Sequence, residues 1–158
     1  MGALALALAG CATASPQMGA ATFLDEHGTS AQRVALEARA VELMAGQLRT
    51  PATRPALGLL GSRAARARAD LARASRWAVA GQGEEGAEEE DVPRAETQVT
   101  EGAGELASAM SALQSYSRAP SAAALARYRG RLAQERAQWN EGIAQLWHLA
   151  HRSSPPTV

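Results

Sequence analysis

SAAALARYRGRLAQERAQWNEGIAQLWHLA, Ser121 to Ala150, is the stretch whose pattern decides the fold. Leu125, Tyr128, Leu132, Trp139, Ile143, Leu146 and Ala150 recur at the helical period and make one apolar stripe along it. Ser121 stands where an N-cap belongs, and Pro120 closes off what precedes it. This amphipathic helix, about 121–151, needs other helices to cover its stripe.

Three further segments supply them. Over about 94–117, Val99, Leu106, Met110 and Leu113 form a second stripe, with Ala103 and Ala109 beside it and Tyr116 at its margin. Gly102 and Gly104 each cost about 1 kcal/mol against alanine, so the first half of this helix is expected to be its weaker half. A third segment, about 55–80, begins at Pro55, a residue tolerated in a first turn. Its stripe is Leu57, Leu60, Ala64, Ala67, Leu71, Ala74 and Ala78; Arg63, Arg66, Arg73 and Arg76 lie outside it, with Arg68 at the margin. The fourth, about 30–49, starts at a capping box of Thr29 and Gln32 and stops at Thr50-Pro51. Val34, Val41, Met44 and Leu48 share one of its faces, while Leu36 and Leu43 lie nearly opposite, which implies contact with more than one neighbour.

No alternating strand pattern occurs, so the chain reads as all-α. Short connections make the first two and the last two helices antiparallel hairpins. GQGEEGAEEEDVP, Gly81 to Pro93, joins them as a glycine-punctuated acidic loop. The simplest closed arrangement is an up-down-up-down four-helix bundle over residues 29–152. Two hairpins packed loosely, or against a partner, are the rival. Residues 11–28 read as a flexible tether, and 153–158 as a disordered tail.

Composition limits what such a body can do. All 16 basic residues are arginine, balanced by 16 acids, so no net field draws nucleic acid to the chain. Thirty-eight alanines inflate the hydrophobic fraction without adding much buried area. There is one cysteine, so no disulfide braces the fold.

That cysteine explains the front of the chain. Gly2 to Ala9 is uncharged and apolar, too short for a membrane span and of the length of a signal-peptide core. Leu8-Ala9-Gly10-Cys11 resembles the bacterial lipobox. The resemblance covers roughly the first 15 residues. It implies a signal peptide over 1–10, cleavage between Gly10 and Cys11, a diacylglycerol group on the Cys11 sulfur and further acylation, as by palmitate. Ala12 is not the aspartate that such lipoproteins commonly use for inner-membrane retention, which implies the periplasmic face of an outer membrane. The alternative is ordinary signal cleavage after Ala12 or Ala14, which discards Cys11.

Candidate chemistry is sparse. His148 and His151, three apart, have a chelating spacing but project away from the Leu125–Ala150 stripe; they read as surface histidines before they read as metal ligands. His27 falls in the tether. There is no C-x-x-C-H, and Met44 lies at the opposite end of the bundle from His148, which disfavours haem. Glu37 and Glu135 sit on apolar stripes and need rim positions or partners, for which Arg68 and Arg136 are at hand. No Glu-x-x-His, G-x-S-x-G, P-loop or HExxH occurs, so neither a di-iron site nor an enzyme is expected, and no cofactor is implied.

The reading is therefore a non-enzymatic envelope lipoprotein that binds another envelope protein as a scaffold. In shape alone, with no shared motif, it is similar to the small helical lipoproteins called pilotins. Leu36, Leu43, Trp77 and Trp147 are the expected partner surface, since all four lie off the main stripes. Two alternatives stand beside it: a periplasmic metal or small-ligand sensor, and an anionic-lipid or lipopolysaccharide binder working through Arg63, Arg66, Arg73 and Arg76. Against the last, the neighbouring acidic loop could neutralise those arginines.

Overall fold

The computed structural model describes residues 16–48, 52–79 and 91–158. The lipobox, Cys11 and the glutamates of the acidic loop lie outside the described residues.

Four helices run in order: α1, Pro16–Gln47; α2, Arg54–Ala74; α3, Asp91–Arg118; α4, Ala122–Leu149. No strand occurs among the described residues. Each helix is antiparallel to the next, and α1 returns against α4, giving an up-down-up-down four-helix bundle. Hydroxyl caps set two of the starts. Thr53 accepts from the Ala56 amide at 3.4 Å, and Ser121 from the Ala124 amide at 3.1 Å.

The inner pair is α3 and α4. A Cβ built on Gly102 would lie 2.6 Å from the Trp139 amide nitrogen, and one on Gly142 would lie 2.7 Å from the Ala95 carbonyl oxygen. The two backbones therefore touch at glycine on both sides. Gly102 is where α4 comes closest, so this half of α3 is held by the contact rather than left weak as propensity alone implies. Around it Val99, Leu106, Met110, Leu113, Trp139, Ile143 and Leu146 are fully buried.

Four expectations are corrected. The tether is one: from Pro16 onward it is helix, and Thr29 lies inside α1 rather than capping it. Ala20, Leu24, Gly28, Ala31, Val34, Ala38, Val41 and Ala45 are all buried at three- and four-residue spacings, with Phe23 beside them, so the core stripe continues well upstream of Thr29. The second helix stops at Ala74, not near residue 80. There the Ser75 hydroxyl bonds back to the Ala72 carbonyl, and the next residues turn so that Trp77 meets α1. Third, α3 begins at Asp91 rather than Arg94, with Val92 and Pro93 buried; proline fits because first-turn amides need no helical acceptor.

The tail is the fourth. His151 and Ser154 take positive φ of 53° and 61°, which turns the chain back on itself after α4. Residues 155–158 then lie between α1 and α4, with Val158 only 7% exposed, so the segment is packed rather than disordered.

Candidate interaction surface

Leu36 and Leu43 are each 65% exposed, the most exposed large apolar residues described. Seven residues apart, they share a line on the outer face of α1. The core-facing stripe of α1 points the other way, so the second apolar face is left mostly open to solvent. Beside Leu43 is a shallow depression lined by Arg39, Glu42, Gly46 and Gln47. Glu42 is held there by Arg136 of α4 at 3.1 Å. Leu43 is thus flanked by one tied carboxylate, an arginine and uncharged residues.

The two tryptophans do not join them. Trp147 is 4% exposed, and Trp77 packs against the core. The cause is the upstream part of α1. A Cβ on Gly28 would come within 3.8 Å of the Trp147 ring, so α1 lies directly over that indole. Trp77 meets Phe23 edge-on at 6.0 Å between ring centroids and stacks on His27 at 4.6 Å, the planes 5° apart. Both indoles would have been free had residues 16–28 been a tether.

His27 is consequently a packed residue. Burial pushes its pKa below the ordinary value, opposed in part by the Glu26 carboxylate 3.7 Å away. Its Nε2 is buried without a hydrogen bond. His148 and His151 are exposed. Helix α4 ends at Leu149, and His151 has left-handed backbone, so the two histidines do not keep the helical i, i+3 geometry expected of them. Among the described residues, no group of three or more histidine, cysteine or carboxylate side chains could hold a metal.

The arginines of α2 are partly engaged. Arg63 lies 3.9 Å from Glu37, Arg73 pairs with the buried Asp70 one turn earlier, and Arg76 donates to the Ala72 carbonyl at 2.9 Å. Glu37 thus takes Arg63 rather than Arg68, and Arg136 goes to Glu42 rather than Glu135. Glu135 keeps one buried oxygen without a hydrogen bond. Burial, reinforced by the Glu105 carboxylate, raises its pKa above the ordinary carboxylate value. The Tyr128 hydroxyl, buried and unpaired beside Glu42, is likewise pushed up.

No protein-family model, curated protein or solved structure matches this chain.

Sequence reading passed over three residues that the folded chain brings together. Trp139 donates its indole N–H to the Pro156 carbonyl at 3.2 Å, Asn140 binds the main chain of Val158, and Arg39 reaches the Thr157 hydroxyl at 3.1 Å. Asn140 carried no signal of its own in the sequence, standing between Gln138 and Glu141 in a turn with other polar residues. None of the described helices is long and apolar enough to cross a membrane.

Proposed function

We propose that this chain is a non-enzymatic envelope lipoprotein, held at the periplasmic face of the outer membrane through Cys11, whose helical bundle docks another protein on the outer face of α1. The observation that carries the docking claim is the pair Leu36 and Leu43, both 65% exposed on the helix least embedded in the bundle. Apolar side chains left in one line on a helix fit the groove or helix of a partner. The anchor rests on the resemblance of Leu8-Ala9-Gly10-Cys11 to the lipobox.

The two halves of the proposal fit one another geometrically. Only the residues between Cys11 and Pro16 separate anchor from bundle, a reach of at most about 18 Å. Helix rise then places Leu36 about 30 Å and Leu43 about 40 Å along α1 from its start. A partner docked on those leucines stays within about 60 Å of the anchor, as a scaffold or escort requires.

Co-purification from detergent-extracted membranes tests it. The double substitution Leu36→Asp/Leu43→Asp should lose a stoichiometric partner while leaving the denaturation midpoint nearly unchanged, as exposed substitutions do. Retention of the same partner by that variant refutes the docking face. Intact mass of the extracted protein tests the anchor separately: acyl groups on a chain starting at Cys11 support it, and an unmodified thiol or a start beyond residue 11 refutes it.

A further inference from the structure

Residues 155–158 lie in the groove between α1 and α4 as a bound peptide does. The Asn140 side-chain amide brackets the main chain of Val158, donating to its oxygen at 3.0 Å and accepting from its N–H at 2.7 Å. The Trp139 indole donates to the Pro156 carbonyl at 3.2 Å. Arg39 reaches across from α1 to the Thr157 hydroxyl. The Val158 side chain is buried, while residues 151–154 are exposed and residues 155–157 only half-buried.

These are elements of peptide recognition through main-chain groups, with a tight turn in the peptide itself, since the Thr157 N–H donates to the Pro155 carbonyl at 3.0 Å. Main-chain groups supply most of the hydrogen bonds, and a single aliphatic side chain fills a pocket. Prolines suit the preceding positions because they bring no N–H that the groove would have to satisfy, and the fixed φ of Pro156 suits the turn closed by the Thr157 N–H on the Pro155 carbonyl. Two paired main-chain bonds do not depend on which molecule carries the main chain. The Trp139 ring is fully buried with the tail in place, so an empty groove would expose apolar surface to water. The groove therefore favours exchange of one occupant for another over simple opening. Arg152 is tied to Asp25 of α1 and to the Trp147 carbonyl, so the exposed residues beyond it, Ser153 and Ser154, are the part that gives way.

We propose that the α1–α4 groove built by Arg39, Trp139 and Asn140 is a docking site for a proline-containing segment of a partner protein that turns at the proline and presents an aliphatic residue two positions after it. Residues 155–158 occupy it in cis and are displaced when that segment arrives. The inference uses different side chains from the leucine face and stands whether or not that face binds anything.

The test uses the full chain and a fluorescein-labelled peptide, Ser-Ser-Pro-Pro-Thr-Val, followed by anisotropy. In the wild-type chain the tethered tail competes at an effective concentration near the millimolar range, so peptide binding is weak. Val158→Asp, which would bury a charge, releases the tail and should tighten peptide binding by about 10-fold or more. Adding Asn140→Ala to that variant removes both bonds to the aliphatic residue and should weaken binding by about 10-fold or more. A peptide with aspartate in place of its valine should not bind.

Three outcomes overturn the proposal. Equal affinity for wild type and Val158→Asp means that the tail does not occupy the site. Absence of saturable binding to a Val158→Asp chain whose helical circular dichroism is intact means that no separable site exists. Loss of the helical signal on Val158→Asp means that the segment is an integral strap rather than a displaceable occupant.

Discussion

Substituting Gly102 with alanine sets two physical effects against each other, and the structure says which one wins. Helix propensity alone favours the change by about 1 kcal/mol. Yet the new methyl carbon would sit 2.6 Å from the Trp139 amide nitrogen, 3.0 Å from its Cα and 3.2 Å from its Cβ. Ordinary contact begins near 3.5 Å, so α3 and α4 must separate by about 1 Å, and two of those three atoms belong to a helix backbone that cannot rotate away. Overpacking of this kind costs about 1–3 kcal/mol, and it propagates along an interface that also closes on Gly142. Gly102→Ala should therefore destabilise the protein by up to about 2 kcal/mol net of propensity. Gly130→Ala and Gly58→Ala, where an added Cβ meets nothing within 4 Å, are the controls. Each should stabilise by up to about 1 kcal/mol. Urea denaturation followed by circular dichroism gives all three midpoints, and thermal melts should separate them by roughly 4 °C per kcal/mol for a domain near this size. If Gly102→Ala is as stabilising as Gly130→Ala, the close approach of α3 and α4 is wrong.

Other substitutions address the remaining elements. Phe23→Ala should cost about 3–5 kcal/mol because the ring is 4% exposed; a tether residue would show nearly none of this in the same urea titration. His27 has a folded-state pKa depressed below 6.5, so the unfolded chain takes up its proton first and the contribution to stability rises with pH. That contribution is complete above 6.5 and is lost as pH falls through 6.5 towards the folded value; His27→Phe should remove this component of the midpoint's pH dependence. Glu135 has the opposite sign. Its folded pKa is raised above 4.5, so the neutral form's advantage is present below 4.5 and is lost as pH rises through the folded value. Glu135→Gln should stabilise the protein at pH 7 and lose that advantage in acid, read as the difference in urea midpoint from wild type.

The all-α bundle and the partners of α4 were legible because leucine, valine and isoleucine mark the stripes of α3 and α4 directly. Helix α1 was legible only in its second half. Upstream, its core positions are alanine, glycine and two larger residues, Phe23 and Leu24, and small residues carry little hydrophobic contrast against a polar face. Thr29 and Ser30 resemble a start signal and lie inside the helix. That single boundary error carried over to the site. With residues 16–28 taken as a tether, nothing remained to cover Trp77 and Trp147, and both read as surface residues. Leu36 and Leu43 were placed correctly as an off-stripe pair, since periodicity alone fixes their angle from Val34 and Val41.

The tail was illegible for another reason. Its contacts are main-chain hydrogen bonds to Trp139 and Asn140, and nothing in RSSPPTV marks a segment that will turn back between two helices. The arginine pairs were half legible: charge complementarity said that Glu37 would be neutralised, but rotation of α2 about its axis decides between Arg63 and Arg68.

Site-specific photocrosslinking most directly tests the claim that the outer face of α1 docks a partner. A photoreactive residue at Leu36 or Leu43, in cells that carry the protein natively, should give one discrete adduct of constant mass at both positions. Ala126 and Ala133, exposed on α4, should give none. Adducts equally abundant at all four positions, or absent from both leucine positions, contradict the account.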